Sequence, residues 1–228
     1  MHIPDGFLSG EVAVAAGVVA VAGVGVGLRR AGQELDDRRV PLLGVTAAFV
    51  FAVQMLNFPV AGGTSGHLLG AALAATLLGP WLACLVLAVV LAMQAFLFAD
   101  GGITALGANV LNMGVLGALG AGVLMRVGTR VLPPKRGAFL GLVAVSAWVA
   151  VTIGAAATSL ELAASGTVAL GPVLVAMLSV HTLIGIGEAL ITVAAVSAVL
   201  AARPDLVALA PPGLASPAPA PLGAEGRA

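Results

Sequence analysis

The sequence predicts an all-α membrane protein of seven transmembrane helices, its amino terminus outside and folded into the bundle, its carboxyl terminus cytoplasmic. Three observations carry this. Of 228 residues, 60% are hydrophobic and only 9% are charged, and mean hydropathy is +1.13. Repeated apolar runs at that density belong to a polytopic helical membrane protein, not to a water-soluble core. Glycine supplies 31 residues while Tyr is absent, a composition that lets membrane helices approach closely. Finally, all ten Lys and Arg residues fall on one side of a seven-span threading, which marks that side as the cytoplasm.

Taken in order, the apolar runs cover about 11–28, 41–57, 67–80, 81–98, 104–125, 138–158 and 171–201. Arg29, Arg30, Arg38 and Arg39 fall between the first two, and Arg126, Arg130, Lys135 and Arg136 between the fifth and sixth. Arg203 and Arg227 follow the last. The opposite side receives the amino terminus and the loops 58–66, 99–103 and 159–170. It carries Asp5, Glu11, Asp100 and Glu161 and no Lys or Arg, a mildly acidic surface that favours cations. The formal net charge is zero, so nothing points to a nucleic-acid partner. Cys84 stands alone in an apolar run, which excludes an internal disulfide and a cysteine metal site and reads as a small core or lipid-facing filler. No basic stretch precedes the first run, so no cleavable signal peptide is expected. Residues 1–203 form one membrane domain without internal repeats. Residues 204–228, with Pro211, Pro212, Pro217, Pro219 and Pro221, read as a disordered Pro/Ala-rich cytoplasmic tail.

The third run is too short. From His67 to the turn at Pro80 a helix spans ~21 Å against a hydrocarbon core of ~30 Å. His67 should therefore open its helix below the outer surface, and the preceding loop, Pro59 to Gly66, must dip into the membrane, where irregular backbone is tolerated only beside a polar cavity. Residues 1–9, if extended, reach ~30 Å, enough to fold back into that cavity.

The first residues, Met1-His2-Ile3-Pro4-Asp5-Gly6-Phe7, form a chelator by covalent geometry. The terminal amine, the deprotonated His2 amide and the His2 ring Nδ1 can close a five- and a six-membered ring on one ion. A fourth planar position then remains for a neutral imidazole, for which His67 is the candidate. A planar all-nitrogen set suits Ni(II) or Cu(II), leaves Co(II) less decided and argues against Mg or Ca. Pro4 keeps Ile3 extended. A frayed polar terminus is the ordinary alternative, and a structural histidine is the alternative for His67. Thr64 and Ser65 are placed either to bond the second ring nitrogen of a histidine or to cap the helix near His67. Asn109 and Asn112 read as interhelical glue, with Asn109 a lesser candidate to flank the ligands.

His181 and Glu188, seven residues apart, share one face of the last helix and are candidates for function as buried ionisable groups. A structural or coupling role is expected, because Glu188 would lie far below a site near His67. Gly63-Thr64-Ser65-Gly66 with His181 also resembles the serine–histidine dyad of rhomboid intramembrane proteases, with Ser65 as nucleophile and His181 as base.

At three stretches the chain resembles the CbiM/NikM family, the substrate-capture components of energy-coupling factor (ECF) transporters for cobalt and nickel. These are Met1 to Phe7, Gly62-Gly63-Thr64-Ser65-Gly66-His67-Leu68-Leu69-Gly70, and His181 to Ala189. The resemblance covers residues 1 to about 201. It implies a seven-helix protein of the cell membrane with its amino terminus tucked inside. It also implies that metal, Ni(II) or Co(II) as transported substrate with no organic cofactor, is held by the Met1 amine, the His2 amide and ring, and His67. The partners it implies are a transmembrane coupling subunit, two ATPase subunits and a small accessory membrane subunit. The chain lacks G-x-x-x-x-G-K-[ST], so ATP hydrolysis is expected elsewhere and the chain itself is not expected to be an enzyme. Between the metals nickel is favoured, because a deprotonated amide in a planar set suits low-spin d8.

Overall fold

The computed structural model describes residues 1–35 and 39–215; Arg38, Arg227 and positions 216–228 of the tail lie outside them. The first helix, α1 (Gly10–Glu34), begins where extended Ser9 turns its hydroxyl to the Val12 amide, satisfying one of the donors that a helix start leaves free. After α2 (Arg39–Gln54) the chain enters an irregular segment. Two two-residue strands, β1 (Phe58–Pro59) and β2 (Ser65–Gly66), pair antiparallel there with Phe58 opposite Gly66. Five further helices follow: α3 (Ala71–Leu78), α4 (Pro80–Phe98), α5 (Leu106–Val131), α6 (Arg136–Ala164) and α7 (Leu170–Ala202). Within α5 the winding widens to a π-helix over Val110–Leu119, a form frequent at functional sites. A 3-10 turn, Pro204–Leu206, follows α7.

Five of these helices (α1, α4, α5, α6 and α7) are long and apolar enough to cross a membrane, while the runs at 41–57 and 67–80 give shorter ones. The core sits around α3, whose eight residues are all buried, against α2, α4, α5, α6 and α7. A helix that is apolar all round belongs in a protein core or a membrane, and α3 lies in the core. By contrast α1 exposes Val14, Val18, Val21 and Leu28, the surface expected of a helix that faces lipid.

The molecule has two chemically distinct ends. At one, Thr167 Oγ1 donates to the Phe7 carbonyl at 2.5 Å, and the loop 100–104 lies against residues 3–5. At the other, the amides of Ala208 and Leu209 donate to the Leu77 and Thr76 carbonyls. Short α3 would otherwise leave those carbonyls unpaired in an apolar interior. Residues 204–215 therefore pack back on the bundle, with Val207 buried, where an extended tail was expected.

Two element boundaries also differ from expectation. The third helix starts at Ala71, four residues after His67, because Gly70 takes a left-handed conformation (φ 74°) that ends the extended approach. The sixth continues to Ala164, so Glu161 is helical and not in a loop.

Candidate metal centre

The amino-terminal segment is held as a strand would be, by backbone pairing on both edges. Asn109, at the last α-helical residue before the π-wound part of α5, reads the Ile3 backbone completely. Its Oδ1 accepts from the Ile3 amide at 2.8 Å and its Nδ2 donates to the Ile3 carbonyl at 3.2 Å. The Gly102 amide donates to the same carbonyl. Asp5 Oδ1 accepts from the Thr104 amide at 2.7 Å and the Thr104 hydroxyl at 2.5 Å. Gly102 has to be glycine here, since a Cβ would come within 2.3 Å of the Asp5 nitrogen. Met1 is wholly buried, its sulfur against Gly154 of α6.

These anchors deliver the terminal amine and His2 to Ser65 in β2. The amine donates to the Ser65 carbonyl and to Ser65 Oγ at 3.0 Å, and the His2 amide donates to the same Oγ at 3.2 Å. Burial lowers the amine's pKa from 8.0 to about 4, against a weaker upward pull from Asp100. At neutral pH the amine is therefore uncharged. Its two hydrogens are directed at Ser65 and a lone pair is left over.

Each histidine is fixed by one nitrogen and bare at the other. His2 Nε2 lies 3.1 Å from Gln94 Oε1 of α4; facing a carbonyl oxygen, it carries the hydrogen, and Nδ1 keeps its lone pair. Asp100 Oδ1 approaches that Nδ1 to 3.2 Å, yet Nδ1 makes no hydrogen bond. His67 Nδ1 donates to the Leu68 carbonyl at 2.8 Å, and its Nε2 is buried with no partner. The His2 and His67 rings lie 4.4 Å apart, 19° from parallel. Two imidazoles bound side by side on one ion through bonds of about 2.0 Å have centres about 4.5 Å apart. Among the described residues no cluster of three or more His, Cys, Asp and Glu side chains could hold a metal ion. A chelate at this place depends on backbone nitrogen.

The loop that carries His67 is clamped from two helices. Glu188 of α7 accepts from the Leu69 amide at 2.8 Å and the Gly70 amide at 2.6 Å. Gln54 of α2 donates to the Leu69 carbonyl at 2.8 Å. Glu188 was expected far below this level. It reaches the loop because residues 67–70 descend in extended form before α3 begins. His181 also faces the site: it acts electrostatically on His67, and its Nε2 is buried and partnerless while Nδ1 donates to the Met177 carbonyl at 2.7 Å. Thr64 turns to Met177 Sδ at 4.0 Å, not to a histidine. The proteolytic alternative finds no support. Ser65 Oγ is engaged by the amine and the His2 amide, and His181 Nε2 has no hydrogen-bond partner with which to form a dyad.

Gln94, Gln54 and Asp100 were missed as site residues. The signal existed for the glutamines, since each is an amide inside an otherwise apolar helix. Asn112 does act as glue, donating to Thr158 at 3.2 Å and Glu161 at 2.6 Å.

The chain is similar to several known transport proteins. Residues 2–206 match the family described as CbiM, cobalt uptake substrate-specific transmembrane region. A Haloquadratum walsbyi protein named for metal transport is 42% identical over 209 residues, 91% of this chain and 93% of that one. The fused nickel transport protein NikMN of Rhodobacter capsulatus is 44% identical over 130 residues, 57% of this chain and 38% of that one. Among solved structures, a truncated transition metal transporter superposes with a TM-score of 0.82 at 34% identity, covering 89% of this chain and 99% of that one.

Proposed function

The chain belongs to the CbiM family of cobalt-uptake substrate-specific transmembrane proteins, and from that premise we propose that it captures a divalent transition metal for import, nickel in preference to cobalt. The ligands are the Met1 amine, the His2 amide nitrogen and Nδ1, and His67 Nε2. The observation that carries this is a convergence: the buried amine and the His2 amide meet at Ser65, and two imidazoles 4.4 Å apart are each held through one nitrogen and bare at the other. His67 would fill the fourth position, beside the His2 ring whose centre lies 4.4 Å from its own.

Gln94 and the Leu68 carbonyl orient the rings from outside, as the partners of metal-bound histidines commonly do. Ser65 and Asn109 set the terminus and Glu188 sets the His67 loop. Binding requires the His2 amide to give up its proton and leave Ser65 Oγ, so loading is proton-linked. A planar set containing an amide anion suits Ni(II) best.

The remaining features follow from the basic-residue distribution and the family. Seven segments thread the cell (inner) membrane, with the site on the outer side and residues 204–228 in the cytoplasm. The chain is not an enzyme. An ECF-type transmembrane coupling subunit, two ATPase subunits and a small accessory membrane subunit drive release. The test is metal stoichiometry by mass spectrometry on protein purified with an authentic, untagged Met1. One nickel per chain is expected from wild type and none from His67→Ala. Equal loading of both would refute the ligand set.

A further inference from the structure

We propose that Asp100 is the counter-ion of the loaded metal centre, neutralising it from just outside the coordination plane without ligating the metal. This rests on the ligand set given above. A dication bound by one amide anion and three neutral nitrogens keeps one positive charge, and a charge left uncompensated in a water-poor interior is costly. Among the described residues, the carboxylates near the amino-terminal segment are otherwise engaged: Asp5 with Thr104, Glu161 with Asn112 and Glu188 with the loop amides. Asp100 alone turns to the chelate. Its Oδ1 stands 3.2 Å from His2 Nδ1, a proposed ligand atom.

The fold takes trouble to put it there. α4 ends with Ala99 in a left-handed conformation, φ 51°, the one non-glycine residue with positive φ among those described, a state that an Ala side chain disfavours. The Asp100 amide then donates back to the Gln94 carbonyl, the residue whose side chain fixes the His2 ring. Gly101 follows at φ 90°, where a Cβ would stand 3.4 Å from His2 Cδ2. Asn57 Nδ2 holds the other carboxylate oxygen at 3.0 Å. In the metal-free protein His2 Nδ1 faces a carboxylate oxygen without a hydrogen bond between them. A cation on Nδ1 turns that contact into an attraction.

Nickel titration of the full, untagged chain in detergent micelles tests this. Asp100→Asn should weaken Ni(II) affinity about 10–100-fold, the usual effect of altering a group just behind the ligands. The planar nickel absorption band should keep its position. Asp100→Glu should restore most of the affinity, because charge and not shape is what matters. Wild-type affinity in Asp100→Asn overturns the proposal. So does a displaced band, which would make Asp100 a ligand, or an Asp100→Glu as weak as Asp100→Asn. His67→Ala separates the two levels: if it keeps the band and stoichiometry, the ligand set itself is wrong. Should Asp100→Asn fail to fold, Asn57→Leu carries the test. Freeing Oδ2 should weaken nickel several-fold, and unchanged affinity refutes the counter-ion role.

Discussion

Replacing Glu188 by Gln changes one group at a point where two helices hold the His67 loop. The carboxylate accepts two backbone amides, one on each oxygen, at 2.8 and 2.6 Å. Both oxygens accept, which is the geometry of the ionised group. A carboxamide offers one oxygen and sets an NH₂ against the second N–H. One buried donor, on Leu69 or Gly70, is then unsatisfied, at about 1–3 kcal/mol. Gln54 still grips the Leu69 carbonyl, so the loop shifts but is not released. The whole cost should appear as lost stability of the metal-free protein, lowering its melting temperature by roughly 2–10 °C. Whatever part moves His67 Nε2 out of plane appears as weaker nickel binding, at about tenfold per 1.4 kcal/mol. Differential scanning fluorimetry and nickel titration on the same preparations measure the two. Glu188→Gln indistinguishable from wild type in both would show that the clamp does not set the loop.

Three further outcomes follow from the same geometry. The unfolded amine binds a proton below 8.0 and the folded one only below about 4, so the unfolded state holds more protons between these values. The amine's contribution to the stability of the metal-free protein should therefore rise with pH across that window. Acetylating the terminus removes the amine's share, and an unaltered slope in pH-dependent melting would contradict the burial of a neutral amine. Gly154→Val should cost about tenfold or more in nickel affinity, since a Cβ there lies 2.9 Å from Met1 Sδ and two added methyl groups must push Met1 aside; isothermal titration decides. His181→Ala should keep one nickel per chain by mass spectrometry while His67→Ala keeps none, and the reverse pattern would move the site to α7.

Much of this was legible in the sequence because covalent geometry does not depend on the fold. Histidine at position two makes a chelator wherever the terminus is free, and a third apolar run too short for the bilayer announces a loop at depth. Less legible was what the loop does there. Counting residues along an ideal helix put Glu188 far from His67, since nothing in the pattern says that 67–70 descends extended until Gly70 turns left-handed. The helix start at Ala71 was missed for the same reason. Gln94 stood in plain view as an amide inside α4, but its use for fixing the His2 tautomer depends on where the terminus docks. The aim of Asp100 depends on a left-handed Ala99 that propensity argues against. Proline content suggested a loose tail from 204, whereas the unpaired carbonyls of short α3 recruit residues 208 and 209.

The central claim is that the free amino terminus is itself a ligand, and register at that terminus tests it most directly. Nickel stoichiometry and visible absorption should be measured on the native start and on forms extended ahead of Met1, each with His67 present or replaced by Ala. The native start should bind one nickel in a planar, diamagnetic state that requires His67. One added Ala places histidine third, so that four coplanar nitrogens come from the peptide alone; nickel should still bind, now without needing His67. Two or more added residues should abolish binding. A long extension that binds nickel as tightly as the native start, still dependent on His67, would contradict the account.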